Sequence, residues 1–270
     1  MEHSSIKFLK ILANKIYKAI PQDLVGVYLH GSLAMNFFDS SRSDIDLLIV
    51  VKNELSNTQK EKIMTLIYEV DKNGPAKGVE MSVILEKHAL SPTYPVPFLL
   101  HYSRKFKEAY LNDKTNFIEN MNGVDKDLTA HIMVTYHRGI VLIGKPIKET
   151  FKEPNKSHYI DSIYHDVKYA KDEILQDPIY YTLNLLRVSA YLINGVILSK
   201  GEAIFWGKEN IDSKYIPLLN SISNSFLNGA PLKVSELDLK EFATYSLGTI
   251  NSILNETKPI NLQLAFNQIQ

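Results

Sequence analysis

Apolar residues recur at two different spacings along the first half of this 270-residue chain. Ile6, Leu9, Leu12, Ile16 and Ile20 stand three or four apart, with Lys7, Lys10, Lys15 and Lys18 between them. That spacing predicts an amphipathic helix. Leu24 to Leu29 and Asp44 to Val51 predict strands, the second almost wholly apolar from Leu47 onward, as in a strand buried on both faces. Ser56 followed three residues later by Gln59 is a capping-box pattern, opening a helix with an Ile63, Leu66, Ile67, Val70 stripe. Asn73-Gly74-Pro75 is turn chemistry. Val79 to Leu85 then alternates, with Val79, Met81, Val83 and Leu85 on one face and Glu80, Ser82 and Ile84 on the other. Three strands with a helix between two of them predict a small mixed sheet covered by helices.

The pattern changes further on. Three prolines between Ser91 and Pro97 predict a loop, and Asp127 to Ile143 reads as a helix ending before Gly144-Lys145-Pro146. Glu153-Pro154-Asn155-Lys156 breaks the pattern, which places a domain boundary between residues 153 and 154 and gives domains 1–153 and 154–270. Beyond it the chain reads as helical. Ile160, Ile163, Val167, Ala170 and Ile174 form one stripe, and Leu183, Leu186, Ala190 and Ile193 another, stopped by Asn194-Gly195. A further helix is predicted over Leu239 to Leu254, and Leu262 to Gln270 reads as an irregular end.

The densest chemistry lies between the first two strands. Val27 to His30 runs into Gly31-Ser32, and after eleven intervening residues comes Asp44-Ile45-Asp46. Residues i and i+2 of a strand share a face, so Asp44 and Asp46 aim at one spot. Two carboxylates held together are costly unless a cation lies between them, and a buried strand does not ordinarily begin with two unpaired charges. A divalent-metal site acting on phosphates follows. Gly31 lets the backbone approach a phosphate closely, and the Ser32 hydroxyl with nearby N–H groups can hold its oxygens.

Composition narrows the use of such a site. Thirty basic and thirty acidic residues cancel, which argues against a duplex or tRNA substrate. The chain has no cysteine, so disulfides and thiolate metal sites are excluded. The first residues carry no signal-peptide pattern, and no apolar run is long enough to cross a bilayer. A cytoplasmic protein, monomeric and without membrane or nucleic-acid partners, is expected.

The strand, Gly-Ser turn and Asp-x-Asp strand resemble the nucleotidyltransferase superfamily with its polymerase-β-like fold. The resemblance implies an α+β architecture: an N-terminal nucleotidyltransferase mixed sheet with helices, then a C-terminal α-helical bundle domain. It implies that Asp44 and Asp46 hold one or two Mg²⁺ ions on ATP, the co-substrate. Glu80 matches the third carboxylate, from a neighbouring strand; the alternation rule alone also allows a surface charge on an edge strand. Over most of its length the chain is similar to the aminoglycoside adenylyltransferases that act on streptomycin and spectinomycin. That likeness implies that Glu80 is also the catalytic base. It further matches Asp177, Arg187 ten residues later, Lys200, and Trp206 six residues after that. Arg187 and Lys200 are implied to contact the ATP phosphates, together with Gly31, Ser32 and Ser43. Glu173 and Asp177 are implied to contact a cationic aminoglycoside or aminocyclitol. A lone helix arginine, a loop lysine and a single tryptophan otherwise read as surface charge, surface charge and packing.

The chain departs from that family at named places. No tryptophan stands near Arg104-Lys105-Phe106, where one stacks on streptomycin; Phe226 lacks the hydroxyl of an expected tyrosine; Glu173 replaces an aspartate. These departures favour a spectinomycin-like substrate over streptomycin. Leu100-His101-Tyr102-Ser103, His131 and His137 receive no role, since hard Mg²⁺ prefers oxygen ligands. The alternatives are a transferase that adenylylates a protein, as in toxin–antitoxin pairs, a catalytically inactive nucleotide-binding module, and an RNA-end nucleotidyltransferase.

Overall fold

The computed structural model describes residues 2–256. The segment 262–270, expected to be irregular, lies outside the described residues. The chain divides into two compact units, Met1–Ser162 and Ile163–Gln270, with the division inside the helix Lys156–His165.

The first unit is built on a five-stranded mixed sheet. Its strands are β1 (Leu24–His30), β2 (Ile45–Val51) and β3 (Val79–Leu85), with β5 (Leu100–Tyr102) and β7 (Ile140–Gly144) at the edges, in the order β5-β3-β2-β1-β7. A separate pair is formed by β4 (Val96–Phe98) and β6 (Gly123–Asp125). Among the described strands only β2 and β3 run parallel, joined through the helix Asn57–Asn73. That helix begins with the capping box predicted for it: Ser56 Oγ accepts from Gln59 N–H while the Gln59 side chain accepts from Ser56 N–H. Such a cap is worth about 1 kcal/mol.

Strand alternation separates two apolar layers. Val27, Leu47, Ile49, Met81 and Val83 pack with Leu9, Ile16, Ile63 and Ile67 of the helices Glu2–Ala19 and Asn57–Asn73. Tyr28, Leu48, Val50 and Ile84 face the other way, onto Leu128 and Ile132 of the helix Asp127–Arg138. Asp46 alternates with Leu48 and Glu80 with Ile84, so both carboxylates belong to this second face.

The sequence expectation for residues 127–143 is corrected here. The helix expected over 127–143 stops at Arg138; Gly139 caps it by donating to Thr135 O at 2.9 Å. The apolar run Ile140-Val141-Leu142-Ile143 becomes β7 and closes the open edge of β1, because β-branched residues suit a pleated surface. β3 is not an edge strand: β5 pairs with it on the far side, and Ser82, expected on a polar face, is buried.

The second unit is helical. Helices Pro178–Asn194, Lys200–Asn210, Ile216–Asn228 and Glu236–Glu256 pack Leu183, Leu186, Ile204, Leu219, Phe242 and Ile250 into one core. The first ends at Gly195 in the left-handed conformation, the stop read from Asn194-Gly195. The expected single stripe from Ile160 to Ile174 is carried by a broken element. The helix ends at His165, tight turns follow, and Val167, Ala170 and Ile174 still reach the core. Lys200 does not lie in a loop as expected; it is the first residue of its helix, capped by Ser199 with Glu202 in a second capping box.

Candidate active site

Three carboxylates meet where β2 and β3 begin. In the parallel register Asp46 lies beside Glu80, and across the antiparallel pair it lies opposite His30. Asp44 stands one residue before β2 and shares the face of Asp46. One oxygen from each of Asp44, Asp46 and Glu80 lies within 4.8 Å of the other two, and all three residues are half-buried.

Gly31 makes room for this arrangement. It follows β1 directly, at φ +64°, and a Cβ there would lie 1.7 Å from Asp46 Oδ2. Both the left-handed backbone and the carboxylate above it require glycine. Ser32, next in the chain, has a buried Oγ with no hydrogen-bond partner among the described residues. A hydroxyl in that state costs free energy unless a ligand satisfies it.

The loop that delivers Asp44 is closed on itself. Ser43 Oγ accepts from Asp39 N–H at 3.1 Å, and Ser43 N–H donates to Asp39 O at 2.7 Å. The Asp39 carboxylate receives Ser41 and Arg42, and these bonds, the Ser41 hydroxyl first, hold its pKa down at about 2. Ser43 thus has a structural bond, and its hydroxyl proton is still available to an acceptor.

Histidines with no role in the sequence reading lie close by. His30 is buried, and its ring stands 4.9 Å from that of His131 on the helix Asp127–Arg138. Burial first, and then the neighbouring His131, push the His30 pKa well below the usual histidine range. His101 on β5 bonds Ser82 Oγ through Nδ1 at 2.9 Å, one step along β3 from Glu80 on the same face. No local pattern marked these residues; strand register places His30 and His101, and the packing of a helix on the sheet places His131. His137 lies elsewhere, paired with Glu153 at 2.8 Å.

The candidates of the second unit are spread along the helix Pro178–Asn194, with Glu173, Asp177 and Lys200 near its start and Arg187 at its middle. Asp177 caps it, Oδ1 accepting from Tyr180 N–H at 2.9 Å. The Tyr181 hydroxyl donates to Glu173, which raises its pKa to about 12. Lys200 Nζ lies 5.2 Å from the centre of the Tyr180 ring. Arg187 is held from two sides: Nε donates to Leu198 O and Nη1 to Asn184 Oδ1, each at 2.9 Å. Trp206 donates from Nε1 to Asn194 Oδ1 at 2.8 Å and packs against the helical core. Phe226 packs against that core too, where it needs no hydroxyl.

Comparison with known proteins supplies the family. A nucleotidyltransferase domain model matches residues 7–109, and the model for the aminoglycoside adenylyltransferase C-terminal domain matches residues 149–249. No curated protein sequence matches the chain. Among solved structures, spectinomycin adenyltransferase AAD(9) from Enterococcus faecialis, crystallised with ATP and spectinomycin, superposes with a TM-score of 0.71. It is 19% identical over 90% of this chain and 98% of its own, a likeness of fold. The chain belongs to the nucleotidyltransferases, as an enzyme of the aminoglycoside adenylyltransferase type with that family's helical C-terminal domain.

Proposed function

We propose that the chain transfers AMP from ATP to a hydroxyl of a small cationic aminoglycoside or aminocyclitol and releases pyrophosphate. The observation that carries this reading is the convergence of Asp44, Asp46 and Glu80 oxygens within 4.8 Å. Three hard oxygen donors suit Mg²⁺, Gly31 leaves space beside Asp46, and the unsatisfied Ser32 hydroxyl suits a phosphate oxygen. When bound there, one or two Mg²⁺ ions would neutralise triphosphate charge.

The chain's own residues supply the rest. Glu80, besides lending an oxygen to the triad, takes the proton of the attacking hydroxyl. That oxygen forms a bond to the α-phosphorus as the bond from the α-phosphorus to the bridging oxygen breaks, and pyrophosphate leaves. Proton removal by a positioned base contributes about 10²–10⁴-fold. In the first unit Ser32 and Ser43 offer hydroxyls to phosphate oxygens; in the second, Arg187 and Lys200 offer cations suited to phosphate, Arg187 with a guanidinium whose orientation Leu198 and Asn184 already fix. Glu173 and Asp177 offer negative charge to a polyamine.

Two features support spectinomycin-like substrates over streptomycin. Where a stacking tryptophan would stand, Arg104 turns back to Asp71 and Phe106 packs between His101 and Phe117. The AAD(9) structure of similar fold was crystallised with spectinomycin. The test is incubation with ATP and Mg²⁺ across a panel of aminoglycosides and aminocyclitols. Pyrophosphate release and a spectinomycin product heavier by one adenylyl group are expected. ATP binding without either, across the whole panel, would overturn the reading.

A further inference from the structure

Asp71 is a buried carboxylate for which the proposed chemistry has no use. It lies in the last turns of the helix Asn57–Asn73 with no exposed surface. Its Oδ1 accepts the Val79 N–H at 3.1 Å. Arg104, just after β5, reaches the same place: Nε is 3.5 Å from Asp71 Oδ1, Nη2 donates to Asp71 O at 2.8 Å, and Nη1 donates to Ala76 O. Gly78 is pressed against the carboxylate. It has φ +80°, and a Cβ there would lie 2.0 Å from Asp71 Oδ1.

The segment held in this way, Ala76 to Val79, is bonded outward twice more. Ala76 N–H donates to Ser40 O at 2.9 Å, and Ile45 N–H donates to Gly78 O at 3.0 Å. Ser40 belongs to the loop that leads to Asp44, Ile45 separates Asp44 from Asp46, and Val79 immediately precedes Glu80. One short turn is therefore tied to the backbone beside each of the three carboxylates. Three like charges at the start of β2 and β3 repel one another, and their repulsion falls on these main-chain bonds.

We infer that Asp71 and Arg104 are positioning residues for adenylyl transfer: their ion pair clamps the Ala76–Val79 turn and so sets the spacing of Asp44, Asp46 and Glu80. The inference rests on reading that triad as the catalytic metal site. A turn without this task needs only an acceptor for Val79 N–H, which an asparagine supplies. The buried charge, gripped through two main-chain carbonyls as well as the carboxylate, adds rigidity at the place where metal ligands must be held. It also gives the Arg104 segment a task other than stacking on substrate.

The experiment compares wild type with Asp71→Asn, Arg104→Ala, Arg104→Lys and Asp46→Asn. It reads steady-state kinetics, Mn²⁺ binding by electron paramagnetic resonance, and amide hydrogen exchange. Asp71→Asn and Arg104→Ala are expected to lower kcat about 10- to 100-fold, as misplacement of reacting groups by an ångström does. They should weaken Mn²⁺ binding about tenfold by loosening ligand support, with the acceptor KM little changed. Exchange should quicken at Val79 to Met81 and stay slow in β1 and β7, and Arg104→Lys should recover part of kcat. If Arg104→Ala does not fold, Asp71→Asn, which keeps an acceptor for Val79 N–H, carries the test. Quicker exchange at Val79 to Met81 with wild-type Mn²⁺ affinity and kcat would make the pair merely structural and overturn the inference. Wild-type Mn²⁺ binding by Asp46→Asn would instead overturn the reading of the triad on which it rests.

Discussion

In the sheet unit, candidate groups take their places from main-chain register; in the helical unit, they take them from caps and helix faces. Asp46 lies beside Glu80 because β2 and β3 are paired residue by residue. Asp177 stands where it does because a helix starts there, and its carboxylate already bonds Tyr180 N–H. Lys200 is likewise the opening residue of a helix, after the Ser199 cap. A register slip of one residue would turn a strand carboxylate to the opposite face, whereas a helix end tolerates adjustment by a turn's fraction. The sheet unit thus holds its three carboxylates in a geometry fixed by main-chain pairing. The helical unit places its candidate charges at helix ends and along a helix face, where no strand register fixes them.

That contrast predicts steep losses for changes at the triad and shallower ones in the helical unit. The largest expected loss is for Glu80→Gln: turnover falls about 10²–10⁴-fold while ATP still binds, as measured by single-turnover kinetics and equilibrium nucleotide binding. Turnover near wild type would remove Glu80 as the base. Gly31→Ala comes next. A β-carbon there meets Asp46 Oδ2 and strains a left-handed backbone, so a loss of about 100-fold in kcat is expected from displacement of the carboxylate. A fully active, stable alanine variant would break the claim that register leaves Asp46 no latitude.

In the helical unit, Arg187→Ala is expected to raise the KM for ATP about tenfold, the scale of one charge-assisted contact, with kcat less affected. A kcat loss as deep as that of Glu80→Gln would put the arginine in the same class as the triad and blur the contrast. Asp177→Ala is the mildest. Losing the cap should cost about 1 kcal/mol, visible in urea unfolding. An accompanying rise in acceptor KM would assign the carboxylate a second task, and an unchanged KM would leave it a cap alone.

The legibility of the chain follows the same line. β1, β2, β3 and the helix Asn57–Asn73 were readable because alternation and the Ser56–Gln59 box are local signals. β7 was misread as helix because Ile140 to Ile143 is apolar throughout and carries no period; only the open edge of β1 decides its form. β5 is too short to announce itself, yet it turns β3 from an edge into an interior strand and buries Ser82. The helix Lys200–Asn210 was missed although Ser199 and Glu202 spell a capping box. Gly201 follows at once, and exposed Phe205 beside buried Ile204 blurs its apolar stripe. At the site, Asp44 and Asp46 were visible from spacing alone. The histidine neighbours and the Asp71–Arg104 clamp were not, because partners 33 residues apart leave no trace in a local pattern.

The central claim is that Asp44, Asp46 and Glu80 together hold a divalent cation beside a nucleotide. Titration of Mn²⁺ into wild type and Asp46→Asn, with a non-hydrolysable ATP analogue present, tests it most directly. Saturable binding of one or two ions by wild type, weakened at least about tenfold in the variant, is the predicted result, since removing one charged oxygen ligand costs more than 1.4 kcal/mol. Equal binding by both proteins would contradict it.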